Sequence, residues 1–193
     1  MKKILLISMI CSVCLSSCMT TFRLVPTLSL EEAKLNNISG VGDINQTERR
    51  FENEIIVFIF DNTVRAFQLS IENKTTDPLS LILDEAFAVD VDGFSYRLQS
   101  ELSRGAGSNL LQAPVQISPK STIKLNLILS RQVQGRIAGN VFPFTSHYYE
   151  PDRLAEQFSQ YVNYKFFIPI KNTISNETNN YEFVLKIVKF KAF

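Results

Sequence analysis

"EIIVFIFDNTVRAFQLSIEN", residues 54–73, decides the fold class. Its first part, Glu54 to Phe60, is a nearly unbroken apolar run rich in β-branched and aromatic residues, as expected of a strand covered on both faces. Its second part alternates with a period of two. Phe67, Leu69 and Ile71 point one way and Gln68, Ser70 and Glu72 the other, the pattern of a strand with one buried face. Asp61-Asn62 between them suits a tight turn, since both side chains can hydrogen-bond their own backbone.

The same grammar extends toward the C-terminus. "LSLILDEAFAVDV" (79–91) is strand-like with a break at Asp84-Glu85, and Asp92-Gly93 is a hairpin signal leading into "FSYRL". "RGAGSN" (104–109) is loop. "TIKLNLIL" (122–129) places Ile123, Leu125, Leu127 and Leu129 on one face. "YKFFIPI" (164–170) and "YEFVLKIVKF" (181–190) follow, joined by the polar "KNTISNETNN", and Pro169 argues for an edge position or a strand end. About seven strands separated by turn signals predict a mainly β chain, an antiparallel sandwich with one or two short helices. One helix is expected over "PDRLAEQFSQYV" (151–162), with Pro151 in its first turn and Leu154, Phe158, Tyr161 and Val162 on one face. A second, over "LEEAKLN" (30–36), is suggested by Ser29 and Glu32 as a capping box.

All three cysteines fall in "CSVCLSSC", residues 11–18. Met1-Lys2-Lys3 is a basic start, and Ile4 to Leu15 is apolar apart from Ser8 and Ser12. That run is too short to cross a hydrocarbon core of about 30 Å, and the layout is that of a secretory signal. Metal ligation or dithiol chemistry requires a folded setting that Cys11 and Cys14 lack. Leu15-Ser16-Ser17-Cys18 resembles the lipobox of bacterial lipoproteins. The resemblance implies cleavage between Ser17 and Cys18, a diacylglyceryl thioether on Cys18 and acylation of the new amine. Two or more acyl chains make a stable anchor where one is marginal. An ordinary signal peptide, leaving a soluble protein with a free cysteine, is the alternative.

The expected organisation is therefore a signal peptide at 1–17, a lipidated N-terminus and tether at 18–50, and a β domain at 51–193 with an inserted loop and helix at 131–163. A flexible tether of that length would span about 30 Å end to end. The mature chain has no cysteine pair for a disulfide, so the fold must rest on its apolar core, to which fifteen Phe and no Trp contribute. Charge is uneven: residues 19–92 carry a balance of −7 and residues 93–193 a balance of +6. The basic residues are dispersed among strands with no dense run, which with the export signal excludes a nucleic-acid partner. Pairing of early with late strands accounts for the asymmetry.

In their order, "FENEIIVFIF", "FQLSIENKTTDPLSLILDEAFAVDVDGFSYRL", "APVQISPKSTIKLNLIL", "VFPF" and "YEFVLKIVKF" resemble a group of uncharacterised bacterial lipoproteins with an immunoglobulin-like sandwich. Asn73, Pro78, Asp84, Asp92, Gly93, Pro119 and Pro143 are the matching positions. The resemblance covers the chain from about Phe51 onward and implies a fold and a location, with no activity attached.

Chemistry is sparse. The single histidine, His147, has Ser146 and Asp152 near it in sequence, but there is no G-x-S-x-G elbow. Asp84, Glu85, Asp90 and Asp92 form an acidic cluster that invites a calcium reading, although strand alternation spreads them along the chain. "GAG" at 105–107 lacks the Gly-Lys-Ser/Thr of a phosphate loop. "VFPFTSHYYE" (141–150) gathers Phe142, Phe144, His147, Tyr148 and Tyr149 in a long excursion and is the candidate interaction loop, with capping of the sandwich as the alternative. The sequence thus predicts a non-enzymatic envelope lipoprotein without a cofactor or metal. It is held to a membrane through lipid on Cys18 and acts through an envelope protein partner. A small-ligand or calcium-binding module is the alternative. Met19 in place of Asp after the lipidated cysteine favours the outer membrane in a cell with two membranes.

Overall fold

The structure, a computed structural model, describes residues 24–62, 67–90, 93–101, 111–133, 136–140 and 163–192. The signal and lipobox with Ser17 and Cys18, the 104–109 loop, the aromatic stretch at 141–150 and the helix expected at 151–162 lie outside the described residues.

Among the described residues the chain is mainly β, with no α-helix and every strand pairing antiparallel. The first strands are β1 (Leu24–Leu35), β2 (Ile38–Ser39), β3 (Asp43–Asn45), β4 (Arg50–Glu52) and β5 (Ile56–Asn62). Next come β6 (Phe67–Asn73), β7 (Leu79–Leu81), β8 (Phe87–Val89), β9 (Ser95–Ser100) and β10 (Val115–Ile117). The last are β11 (Thr122–Val133), β12 (Arg136–Asn140), β13 (Asn163–Asn172) and β14 (Thr178–Ala192). They form one sheet in the order β2-β1-β14-β13-β8-β9-β11-β6-β5-β4-β3, with β7 bridging β13 to β10 and β12 flanking β11.

The sheet curls so that β4 and β5 face β14. Phe58 of β5 lies 4.9 Å, centroid to centroid, from both Tyr181 and Phe183, and Phe60 lies 4.8 Å from Phe183. Phe67 stacks on Phe166 at 4.9 Å. These rings are almost wholly buried and join Leu30, Leu69, Ile71 and Leu185 in one core. Aromatic pairs at such offsets add to the area they remove from water.

The hairpin of β5 and β6 forms as the sequence requires, in the register Ile56↔Asn73 to Asn62↔Phe67. Two details differ. Ile59 is 38% exposed, so β5 is not covered along its full length on both faces. Asp61 and Asn62, expected as the turn, still belong to β5 and pair with Gln68 and Phe67. The break at Asp84-Glu85 separates β7 from β8, and Gly93, at φ 82°, stands in the β8–β9 hairpin.

The largest correction concerns the segment expected to be a tether with a short helix. Residues 30–36 contain no helix: all but Asn36 lie in β1, which pairs with β14 from Leu24↔Ala192 to Leu35↔Tyr181. Leu28, Leu30 and Ala33 enter the core, and a register shift between Leu30 and Glu32 absorbs the extra residue. A capping box is a local preference, outweighed here by a long ladder and apolar burial. Among the described residues the sheet thus already includes Leu24, and β1 to β3 occupy most of the supposed tether. Among the described residues strands also number fourteen instead of about seven: β1 to β3 come from the supposed tether, and turns divide apolar runs such as 79–91 into short pieces.

Pro169 lies inside β13, with β14 on one side and β7 and β8 on the other. Its carbonyl accepts the Ile82 N–H, so its missing N–H faces the gap where the chain leaves β7 for β8. That break is what lets an interior strand hold a proline. The excursion expected from residue 131 begins as a hairpin of β11 and β12. Early and late strands do pair, through β1 and β14, but the ion pair between them, Lys34 with Glu182 at 3.7 Å, sets a basic early residue against an acidic late one, the reverse of the overall asymmetry.

Candidate functional site

Strand direction gives the domain two ends. Toward one run the start of β1 and the finish of β14, β11 and β5; this is the near end, entered by the chain at Leu24. At the far end lie the turns after β1, β4, β6, β10 and β13, tied to one another by backbone bonds. Asn36 N–H donates to the Asn180 carbonyl, Lys74 N–H to Ile55, Lys120 N–H to Thr75 and Thr173 N–H to Pro78.

Asn73 fastens this end. Its side chain is fully buried; Nδ2 donates to the carbonyls of Asp77, Ile117 and Ser118, and Oδ1 accepts from Thr75 N–H and Oγ1. Asp77 in turn accepts from Asn172 Nδ2 at 3.1 Å. The polar turn "NKTTDP" is thereby locked to the turns after β10 and β13.

Beside it opens a cleft of about 560 Å³, lined by the 40–42 turn and Asp43, by Glu52, Asn53, Glu54 and Ile55, and by Lys74. Lys74 Nζ donates to Glu52 Oε1 at 2.7 Å and to the Asn53 carbonyl at 2.9 Å, while Arg50 pairs with the other Glu52 oxygen. The Lys74 hydrogen bond, helped by the charges of Arg50 and Lys74, holds the Glu52 carboxyl below its ordinary range, against a smaller opposing effect of burial. Asn53 Oδ1 caps the turn by accepting from Ile55 and Ile56 N–H, both at 2.9 Å. Gly42 is required: a Cβ there would lie 2.5 Å from the Glu52 carbonyl and 2.7 Å from the Phe51 ring. In the core, burial raises the Tyr181 hydroxyl above the ordinary phenol range, opposed in part by Asn53. Chemically the cleft offers carboxylates, one ammonium and backbone polar groups, a surface for a polar contact.

The acidic cluster separates. Asp84 pairs with Arg97 and accepts from Gln112 N–H at 2.8 Å, and Gln112 in turn clamps Leu98 and Ser100. Asp90 accepts from the Tyr96 hydroxyl at 2.6 Å and from Phe94 N–H. Glu85 is exposed, and Asp92 lies outside the described residues. Among the described residues no three His, Cys, Asp or Glu side chains converge as a metal site requires. Near Asp90, the Tyr164 hydroxyl is raised by burial first, then by Tyr96 and Asp90.

Phe142, Phe144, His147, Tyr148 and Tyr149 lie outside the described residues, as do Ser146 and Asp152. Sequence reasoning missed the cleft. Its parts are scattered over the 35 residues from Gly40 to Lys74, and only "GVGD", with two glycines in four residues, carried a local signal. No protein-family model, curated protein or solved structure matches this chain.

Proposed function

We propose that the protein is a lipid-anchored envelope protein whose single β domain works by contact and not by catalysis. The observation that carries this is the sequence Leu15-Ser16-Ser17-Cys18 behind a basic start and a short apolar run. Acylated at Cys18, the chain is held to a membrane, the outer one in a cell with two. The rigid far end, with its polar cleft, is the surface offered to an envelope protein partner. We further read the curled sheet as an immunoglobulin-like sandwich, with β1, β13 and β14 in one layer and β4, β5 and β6 in the other. The Phe58–Phe183 and Phe60–Phe183 contacts between them support that reading.

The test pairs two measurements. Labelled palmitate fed to cells should enter the wild-type protein and not a Cys18→Ala variant. Photocrosslinkers placed at Asp43 and Glu54 should capture a partner from the anchored form. Absence of label rejects the anchor, and absence of crosslinks rejects the far end as the contact surface.

A second reading, a small-ligand module, is favoured by the cleft itself, whose volume suits a compact polar molecule. A cationic or polar ligand that raises the melting temperature of the wild type but not of Glu52→Gln supports it.

A further inference from the structure

We infer that the near end of the domain lies directly on an anionic lipid surface, so that the protein is clamped to the membrane and not suspended above it. This rests on the proposed acylation of Cys18 and deepens it. Six residue steps separate Cys18 from Leu24, where β1 begins. Even fully extended, six residues reach only about 20 Å, less than the roughly 36 Å that β1 itself covers. A chain this short cannot lift the domain clear of the headgroups or let it tumble freely. Whatever lies at the near end is therefore held within or beside the interface.

The basic positions that the described strands bring to that end fit such a neighbour. Lys189 and Lys191 lie in the last stretch of β14, in register with Thr27 and Val25 of β1, and so directly beside the chain's entry point. Arg131 and Arg136 lie in the β11–β12 hairpin, which points the same way. Asp61 and Asp90 are the acidic residues of the described strand ends there, and both are engaged: Asp61 pairs with Arg49 at 3.3 Å and Asp90 accepts the Tyr96 hydroxyl. Acidic lipid headgroups attract basic residues near the surface, each worth about fivefold in binding, and acyl anchoring turns this weak attraction into a fixed orientation. The far end, with its cleft, then faces away from the bilayer.

Acylation of Cys18 and loss of Cys11 and Cys14 leave no free thiol, so one introduced cysteine labels uniquely. Val188, 46% exposed on β14, reports the near end, and Ser175, in the exposed turn after β13, reports the far end. The full acylated protein carrying Val188→Cys or Ser175→Cys is labelled with a fluorophore and placed in phosphatidylethanolamine–phosphatidylglycerol vesicles containing headgroup-spin-labelled lipid. Strong quenching at 188 with little at 175 is expected. It should weaken on raising salt and in an Arg131→Glu, Arg136→Glu, Lys189→Glu, Lys191→Glu variant whose melting temperature shows that it folds. Equal quenching at both sites in a protein whose mass shows the acyl chains overturns the clamp and leaves the anchor standing. A mass without acyl chains overturns both. Equal quenching accompanied by crosslinks from position 188 to an envelope protein in cells assigns the near end to a protein and likewise overturns the lipid clamp.

Discussion

Asn73 Nδ2 donates to the Ile117 carbonyl oxygen at 3.2 Å, joining the end of β6 to the end of β10 through a fully buried side chain. The same amide reaches Asp77 and Ser118, so three carbonyls depend on it. Replacing Asn73 by Ala strands these acceptors and is expected to cost about 2–4 kcal/mol. Asn73→Asp keeps the shape but turns a donor into an acceptor facing carbonyls, and should cost at least as much. Urea unfolding of both variants checks this; an aspartate variant as stable as wild type refutes the role assigned to the amide.

The rings of Phe58 and Phe183, 4.9 Å apart with their planes at 60°, join the two halves of the curled sheet. Phe58→Ala should lose about 3–5 kcal/mol through lost burial and the cavity left behind. Phe58→Leu should lose less. A double-mutant cycle of Phe58→Leu with Phe183→Leu should give a coupling of about 0.5–1.5 kcal/mol. Strict additivity would mean that the two halves do not meet through these rings.

Two glycines of the cleft should fail for different reasons. At Gly42 an added methyl meets the Glu52 carbonyl and the Phe51 ring, and Gly42→Ala should cost about 1–3 kcal/mol. Gly40 has open space around it but sits at φ 75°, so Gly40→Ala should cost about 1 kcal/mol, from backbone strain alone. Gly40→Asn should recover part of that loss, because Asn tolerates the left-handed region, whereas Gly42→Asn should be worse than Gly42→Ala. Thermal unfolding of the four variants separates the two mechanisms.

The Glu52 carboxyl is held below its ordinary value of 4.5 in the folded protein, chiefly by Lys74. Folding therefore favours its charged form. The stabilisation is fully present above the unfolded value and disappears as pH falls through the lower folded value. Glu52→Gln should flatten that part of the melting-temperature profile below about pH 4.5 and leave the profile above pH 6 nearly parallel to wild type. Because the group is partly exposed, added salt should shrink the difference. A profile identical in wild type and variant would show that the pair contributes nothing to the acid limb.

What the sequence disclosed follows from how local each signal is. β6 was legible because Phe67, Leu69 and Ile71 alternate with polar residues within one strand, and the β8–β9 hairpin because the conformational freedom of Gly93 is local. β1 was not, because Ser29 and Glu32 compose a credible helix start whose competitor, β14, lies some 150 residues away. Pro169 was misplaced for a related reason: its missing N–H matters only relative to neighbours, and the gap between β7 and β8 is invisible in the run "FFIPI". The cleft combines two turns, the strand residues beside them and the residue that follows β6, none of which announces the others.

β1 also supplies a direct test of the new boundary. As a tether, residues 24–35 would exchange their amide hydrogens at nearly the rate of an unfolded chain and tolerate any polar substitution. As a strand paired with β14 along its whole length, the amides bonded to β14 should exchange slowly, those nearest the sheet's middle slowest of all. Leu30, with no exposed surface, should accept neither charge nor truncation: Leu30→Ala is expected to cost about 2–5 kcal/mol, and Leu30→Glu to prevent folding. Glu31, exposed at the register shift, should accept Ala or Lys within about 0.5 kcal/mol. Rapid exchange throughout residues 24–35, together with a harmless Leu30→Glu, would return this segment to the tether and lengthen the reach from Cys18 on which the membrane clamp depends.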